Sequence, residues 1–217
     1  MILLHGLART SASMDTMATR ISRAGYTVTN IDYPSRRHPI EELAPLAVEK
    51  GLDFCRSRDA ETIHFVTHSL GGILVRYYLS RHEITELGRV VMLAPPNRGS
   101  KVVDKFSTMP GFGFVNGPAG YQLGTGEKSI PLQLGPADFE VGVIAGDRTI
   151  NLLLSTAFDE PNDGKVAVED TKLEGMKDFI VVHRTHPFIM QGGEVIEQVI
   201  HFLRHGLFRK PGADTRE

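Results

Sequence analysis

Short apolar runs alternate with amphipathic segments along the chain. Apolar residues recur at helical spacing in Ser13–Ala24, Ile40–Arg56 and Leu70–Arg81, and again around Ile196 and Leu203. The apolar runs, most of them rich in Val and Ile, predict strands at Met1–Leu4, Tyr26–Ile31, Thr62–Thr67, Arg89–Leu93, Glu140–Ala145 and Asp178–Val182. This alternation is typical of a mostly parallel sheet flanked by helices on both faces, so it predicts an α/β fold.

The periodicity breaks down between Pro95 and Asp138, a segment with many Gly and Pro residues and few apolar stripes. Long irregular segments inside a compact domain usually shape or cover a functional site. We therefore expect residues 1–217 to form one domain, with an irregular excursion at about 95–138 that shapes or covers such a site.

Composition narrows the class of protein. The chain has 24 Lys and Arg against 26 Asp and Glu, a net charge of −2, without long blocks of one sign. This balance argues against nucleic-acid binding and against a polybasic membrane patch. Cys55 is the sole cysteine, which rules out an internal disulfide and a cysteine-based zinc site.

The sequence also bears on location. No apolar run approaches the roughly 18 residues that a membrane span needs, so we expect no integral membrane segment. The first residues, Met1 to Gly6, show no secretory signal, and we therefore expect a cytoplasmic protein. The oligomeric state is left open.

The strongest chemical signal lies between the third predicted strand and the helix that follows it. There, Thr67 to Gly72 read Thr-His-Ser-Leu-Gly-Gly, the form of a nucleophile elbow, which exposes Ser69 at a sharp turn. Thr67 stands where glycine is usual and is expected to cost some strain. The simpler alternative is that Ser69 only caps the helix.

Two segments near the C-terminal end offer partners for this serine. Asp163, in a polar turn, is the preferred carboxylate, and Asp147, directly after a predicted strand, is the alternative. His186 is preferred over His183 as the base because it lies farther from the end of the last strand. A carboxylate that orients an imidazole, and an imidazole that activates a hydroxyl, would form a catalytic triad.

The N-terminal segment offers the remaining catalytic element. An apolar strand runs into His5-Gly6-Leu7, and Gly6 permits an unusual backbone turn. The N–H of Leu7 can then point toward the elbow, where the N–H of Leu70 is a second donor. The alternative is an ordinary turn at the end of a strand.

Taken in order, these segments resemble those of a small bacterial lipase or esterase of the α/β-hydrolase superfamily. The resemblance covers essentially the whole chain and rests on His5 to Leu7, Thr67 to Gly72, Asn162 to Val166 and His186 to Met190. It implies an α/β-hydrolase fold with a minimal N-terminus, because only four residues precede His5.

The resemblance also implies a function, namely serine-dependent cleavage of carboxylic esters through an acyl-enzyme. Ser69 would be the nucleophile, His186 the base and Asp163 the acid, with Leu7 and Leu70 as the oxyanion hole. The expected substrate is a small-molecule or lipid ester, and no cofactor or metal is expected. An acyltransferase with the same triad and a catalytically silent ligand-binding homologue remain as alternatives.

Two weaker motifs are set aside. Gly124 to Ser129 superficially resemble a phosphate-binding loop, but a Glu separates the last glycine from the lysine. His201 and His205 are four residues apart on the last helix, where a solvated helix face is the better interpretation than a metal site.

Overall fold

The computed structural model describes residues 1–150 and 156–210. Its six-stranded sheet has the strand order β2-β1-β3-β4-β5-β6, and every neighbouring pair is parallel. The α/β prediction is therefore confirmed. The strands are β1 (Ile2–Leu4), β2 (Thr29–Ile31), β3 (Ile63–His68), β4 (Leu87–Leu93), β5 (Val141–Gly146) and β6 (Asp178–Val182).

Helices cover both faces of the sheet. They are α1 (Asp15–Arg23), α2 (Ile40–Arg56), α3 (Leu70–Leu79), α4 (Lys101–Phe106), α5 (Phe112–Tyr121), α6 (Ile130–Gln133), α7 (Val168–Thr171) and α8 (Gly193–His205), with 3₁₀ turns at Ser11–Met14 and His186–Gln191. Helices α2 and α3 pack on one face, and α1 and α8 pack on the other. No helix within the two described ranges is long and apolar enough to cross a membrane.

Strand β1 shows why the strands are continuously apolar. Ile2 and Leu4 belong to the core under α2 and α3, whereas Leu3 belongs to the core under α1 and α8. All three are completely buried, because successive side chains of a strand point to opposite faces and both faces are covered. Burying each such side chain contributes about 2 kcal/mol, so these runs stabilise the sheet.

The structure differs from the sequence prediction more in where the elements begin and end than in whether they are helices or strands. Strand β2 begins at Thr29 rather than at Tyr26, because Tyr26 and Val28 pack against the core under α1 and α8 from a loop. Their apolar character reflects packing, not strand pairing.

The segment 95–138 contains the short helices α4 to α6 and no strand. The buried Arg76 of α3 connects this segment to the helix that packs on the sheet. The Arg76 guanidinium donates hydrogen bonds of 2.8 to 3.2 Å to oxygens of Asn97, Pro131 and Gly135. Burial lowers the pKa of Arg76 to about 10.

Parallel pairing brings the carboxyl ends of the strands to one edge of the sheet. Strand β1 leads there into His5 and Gly6, and β3 leads into Ser69. Beyond β6 the chain continues to His186. The segments that carry the predicted chemistry therefore begin at the same edge.

Candidate active site

Ser69 occupies a sharp corner between β3 and α3. Its backbone has φ 52° and ψ −119°, a conformation that costs energy for a residue with a side chain. Gly71 makes the corner possible, since a Cβ there would lie 2.7 Å from the carbonyl oxygen of Leu4 and 2.9 Å from that of His5. The turn therefore presses the start of α3 against the end of β1.

Thr67, in the place of the usual glycine, is an extended residue of β3 and is fully buried. Its hydroxyl lies 3.4 Å from the carbonyl oxygen of Val91. A Cβ on Gly72 would approach that hydroxyl to 3.3 Å, so the glycine at position 72 leaves room for the threonine. The backbone strain of the elbow lies at Ser69, where φ is positive, and not at Thr67.

Ser69, His186 and Asp163 form one hydrogen-bonded chain. The Ser69 Oγ lies 3.0 Å from His186 Nε2, and His186 Nδ1 lies 2.7 Å from Asp163 Oδ2. Each of the three residues is at most 8% exposed. Ser69 makes no side-chain cap of α3, because its hydroxyl faces the imidazole instead.

The backbone fixes the Asp163 carboxylate. Its Oδ1 accepts hydrogen bonds from the amides of Lys165 and Val166, at 3.0 and 2.9 Å. The His186 amide also donates to the Asp163 carbonyl oxygen, at 2.9 Å. With Oδ2 left to accept from Nδ1–H, the Nε2 lone pair of His186 points at the Ser69 hydroxyl, as a general base requires.

The two alternative residues pair with each other. His183 Nδ1 lies 2.9 Å from Asp147 Oδ1, and the His183 side chain is 74% exposed. The structure thus places Asp147 and His183 in a hydrogen-bonded pair at the surface, separate from the chain that reaches Ser69.

The Leu7 and Leu70 amides flank the elbow. Within residues 1–150 and 156–210, neither amide donates a hydrogen bond to the protein. Two amides without a protein acceptor are what an oxyanion hole requires.

Residues after β2, which the sequence analysis missed, hold the loop that carries Leu7. The His5 ring stacks on Tyr33 with centroids 4.0 Å apart, and the Ala8 amide donates to Ser35 Oγ at 3.1 Å. Ala8 itself has a positive φ of 55°. The sequence did predict strand β2. A strand that pairs with β1 in parallel ends at the same edge of the sheet, so the residues after it lie beside the loop after β1.

Gly6→Ala is expected to lower kcat/KM for the reaction at Ser69 about 10²-fold, because small displacements of a catalytic group cost about that much. An alanine Cβ would lie 2.8 Å from His68 Nδ1 and 3.1 Å from the Ser69 Cβ, which forces the loop away from the elbow. Gly193→Ala is the matched control, since nothing lies within 4 Å of a Cβ there. Equal activity of the two variants would contradict the role given to the loop.

His68 is a buried residue directly before Ser69. Its Nε2 lies 3.0 Å from the carbonyl oxygen of His186, and a carbonyl accepts only, so Nε2 carries the proton. Its ring centroid lies 4.9 Å from that of His186. His68 therefore holds the loop that carries His186.

His68 also makes stability depend on pH. Burial, reinforced by the neighbouring His186, lowers its pKa well below 6.5. In the unfolded chain His68 takes up a proton near pH 6.5, whereas the folded protein keeps it neutral. Below that pH the unfolded state thus binds more protons than the folded state. Because of His68, the free energy of unfolding should decrease by up to about 1.4 kcal/mol for each pH unit by which the pH is lowered.

Urea unfolding between pH 7.5 and 5 measures this slope. Burial also lowers the pKa of His5 and of His64, which adds to it. His68→Gln keeps a donor for the His186 carbonyl and should flatten the slope by about 1 kcal/mol per pH unit below 6.5. An unchanged slope in that variant would show that His68 is not kept neutral.

An apolar cavity of about 240 Å³ opens beside Ser69 and His186. Its walls come mainly from segment 95–138: Val102, Val103, Phe106, Phe112, Val115 and Leu123. A larger depression on the outer face of α8 has polar walls and lies away from the triad. Of these two depressions, the apolar cavity is the one that adjoins the Ser69 hydroxyl.

The described residues contain no group of three or more His, Cys, Asp or Glu side chains placed to hold a metal ion. His201 and His205 contact each other with ring centroids 4.4 Å apart, and His201 Nδ1 lies 2.8 Å from the Leu207 carbonyl oxygen.

Comparison with known proteins gives a family and a fold. Residues 1–188 match the model of the alpha/beta hydrolase family. No curated protein sequence matches the chain significantly. Among solved structures, the mature Bacillus licheniformis lipase BlEst2 is similar, with a TM-score of 0.74 and 20% identity over 93% of this chain and 90% of that one.

Two further structures are similar. Phospholipase PlaB from Legionella pneumophila has a TM-score of 0.67 and 21% identity over 79% of this chain and 45% of its own. A thermophilic esterase from Thermogutta terrifontis has a TM-score of 0.62 and 14% identity, with 94% and 89% covered. At these identities the likeness concerns the fold.

Proposed function

Because the chain belongs to the α/β hydrolase family, we propose that it is a serine hydrolase that cleaves carboxylic esters. The observation that carries this proposal is the hydrogen-bonded chain from Ser69 Oγ through His186 to Asp163, at 3.0 and 2.7 Å. The similar solved structures of a lipase, a phospholipase and an esterase support the choice of esters.

In the proposed mechanism, Ser69 Oγ attacks the ester carbonyl carbon while His186 Nε2 takes the hydroxyl proton. The oxyanion of the tetrahedral intermediate binds the Leu7 and Leu70 amides, an interaction worth about 3 kcal/mol per donor. The intermediate collapses as His186 returns the proton to the departing alcohol, which leaves an acyl-serine. Water, activated by the same imidazole, then releases the carboxylic acid.

We further propose that residues 1–217 act as one domain in which segment 95–138 forms the acyl-binding wall. The cavity of about 240 Å³ bounds the acyl group. At about 30 Å³ per non-hydrogen atom, the volume per water molecule in the liquid, it holds about eight such atoms. Acyl chains of about six to eight carbons should therefore fit best.

Hydrolysis of p-nitrophenyl esters from acetate to palmitate tests the proposal. We expect kcat/KM to reach its maximum at about six to eight carbons, because longer chains leave apolar carbons outside the cavity. A fluorophosphonate should label one residue, which peptide mass spectrometry should identify as Ser69. Labelling elsewhere, or no hydrolysis of any chain length, would refute the proposed function.

A further inference from the structure

Two cationic residues belong to loops of the proposed site and are not needed for its chemistry. Lys165 lines the same cavity as Ser69 and His186, two residues after Asp163. Arg9 follows Leu7 by two residues, so its Cα lies within about 7 Å of the Leu7 Cα. Each cation is thus attached to a loop that also carries a proposed catalytic group.

The two cations interact electrostatically. Lys165 is exposed to solvent, and the protein around it partly desolvates its ammonium. This desolvation lowers the pKa of Lys165, the Arg9 guanidinium lowers it further, and only Asp163 opposes the shift. Both cations also act on His68, directly next to the nucleophile.

Neither cation has an acidic partner of its own. In residues 1–150 and 156–210, neither side chain forms an ion pair or a hydrogen bond. Asp163 is the one carboxylate that offsets Lys165, and its two oxygens are already bonded to His186 and to two amides. Lys165 therefore brings a positive charge without an ion-pair partner to the cavity, and such a charge attracts anions.

We propose that Lys165 and Arg9 select esters whose alcohol part carries a negative charge, a phosphate or a carboxylate. This inference rests on the proposed ester hydrolysis. The apolar wall from segment 95–138 suits the acyl chain, which leaves the alcohol part facing the loops that bear Arg9 and Lys165. A negative charge on the alcohol part relieves the repulsion between the two cations. The acyl part then gains binding energy from the apolar wall, and the alcohol part gains it from the cations.

Hexanoyl esters of four phenols test the proposal. Two phenols carry an anion, 4-hydroxybenzoate and 4-hydroxyphenyl phosphate; methyl 4-hydroxybenzoate is neutral and 4-hydroxyphenyltrimethylammonium is cationic. We expect kcat/KM for the anionic esters relative to the neutral one to fall about tenfold in Lys165→Met and in Arg9→Gln. Intrinsic reactivities of the phenols cancel when these ratios are compared between variants.

Lys177→Met is the matched control. Lys177 is exposed and directly precedes β6, at the edge of the sheet opposite the triad, so its replacement should leave the ratio unchanged. In the unmodified protein, raising NaCl from 20 to 500 mM should lower the anionic rate several-fold and spare the neutral one. This second measurement does not depend on either variant folding.

The outcomes separate the two proposals. Equal ratios in all variants, with no salt effect, would overturn the anion selection and leave the ester hydrolase standing. Hydrolysis of none of the four esters would overturn the proposed function and this inference with it. Loss of only the phosphate preference, or of only the carboxylate preference, in Lys165→Met would identify the anion that the site selects.

Discussion

Ser69→Ala is expected to lower kcat for p-nitrophenyl hexanoate about 10⁶-fold, the size of effect seen when the nucleophile of a serine triad is removed. Without the hydroxyl no acyl-enzyme can form, and the oxyanion hole and cavity provide only residual catalysis. Steady-state hydrolysis measures the loss, and fluorophosphonate labelling of the same variant should disappear.

Loss of folding would not explain that result. The Ser69 hydroxyl bonds to His186 and makes no cap of α3, so alanine removes no structural hydrogen bond from the helix. Ser80→Ala, at the other end of α3, is the control and should keep full activity; its hydroxyl bonds to the carbonyl of Tyr77. If Ser69→Ala keeps more than a few per cent of the activity, another nucleophile performs the reaction.

The secondary structure of the strands, and the position of residues at their ends, could be predicted from the sequence because the local pattern of residues determines both. The apolar run Ile63 to Val66 followed by Ser69 and two glycines specifies a strand, a sharp turn and a helix within ten residues. Parallel topology then requires the ends of β1 and β3 to be neighbours. The strand, the turn and the helix around Ser69 could thus be predicted without information from distant segments.

What could not be predicted depends on contacts between distant segments. His68 reads locally as one more residue of a strand, and only the fold places its Nε2 against the carbonyl oxygen of His186. The helices of segment 95–138 are short and carry Gly117 and Pro118, so their apolar residues give no helical stripe. The Arg76 guanidinium of α3 donates hydrogen bonds to this segment at Asn97 and at Pro131 of α6.

Asp163→Asn should lower kcat/KM about 10⁴-fold, whereas Asp147→Asn should change it less than twofold. In Asp163→Asn the amides of Lys165 and Val166 keep the asparagine oxygen in the place of Oδ1. The NH₂ group then faces His186 Nδ1, which must accept instead of donate. The proton of the neutral imidazole moves to Nε2, and His186 can no longer take the Ser69 proton.

The comparison is decisive because both substitutions exchange one carboxylate for an amide of the same shape. Asp147 bonds to His183 on the surface, where the pair contributes at most about 1 kcal/mol. Both variants should therefore unfold close to the same urea concentration as the parent. If Asp147→Asn is inactive and Asp163→Asn is active, Asp147 is the carboxylate of the triad. The 2.7 Å contact of Asp163 with His186 would then have only a structural role.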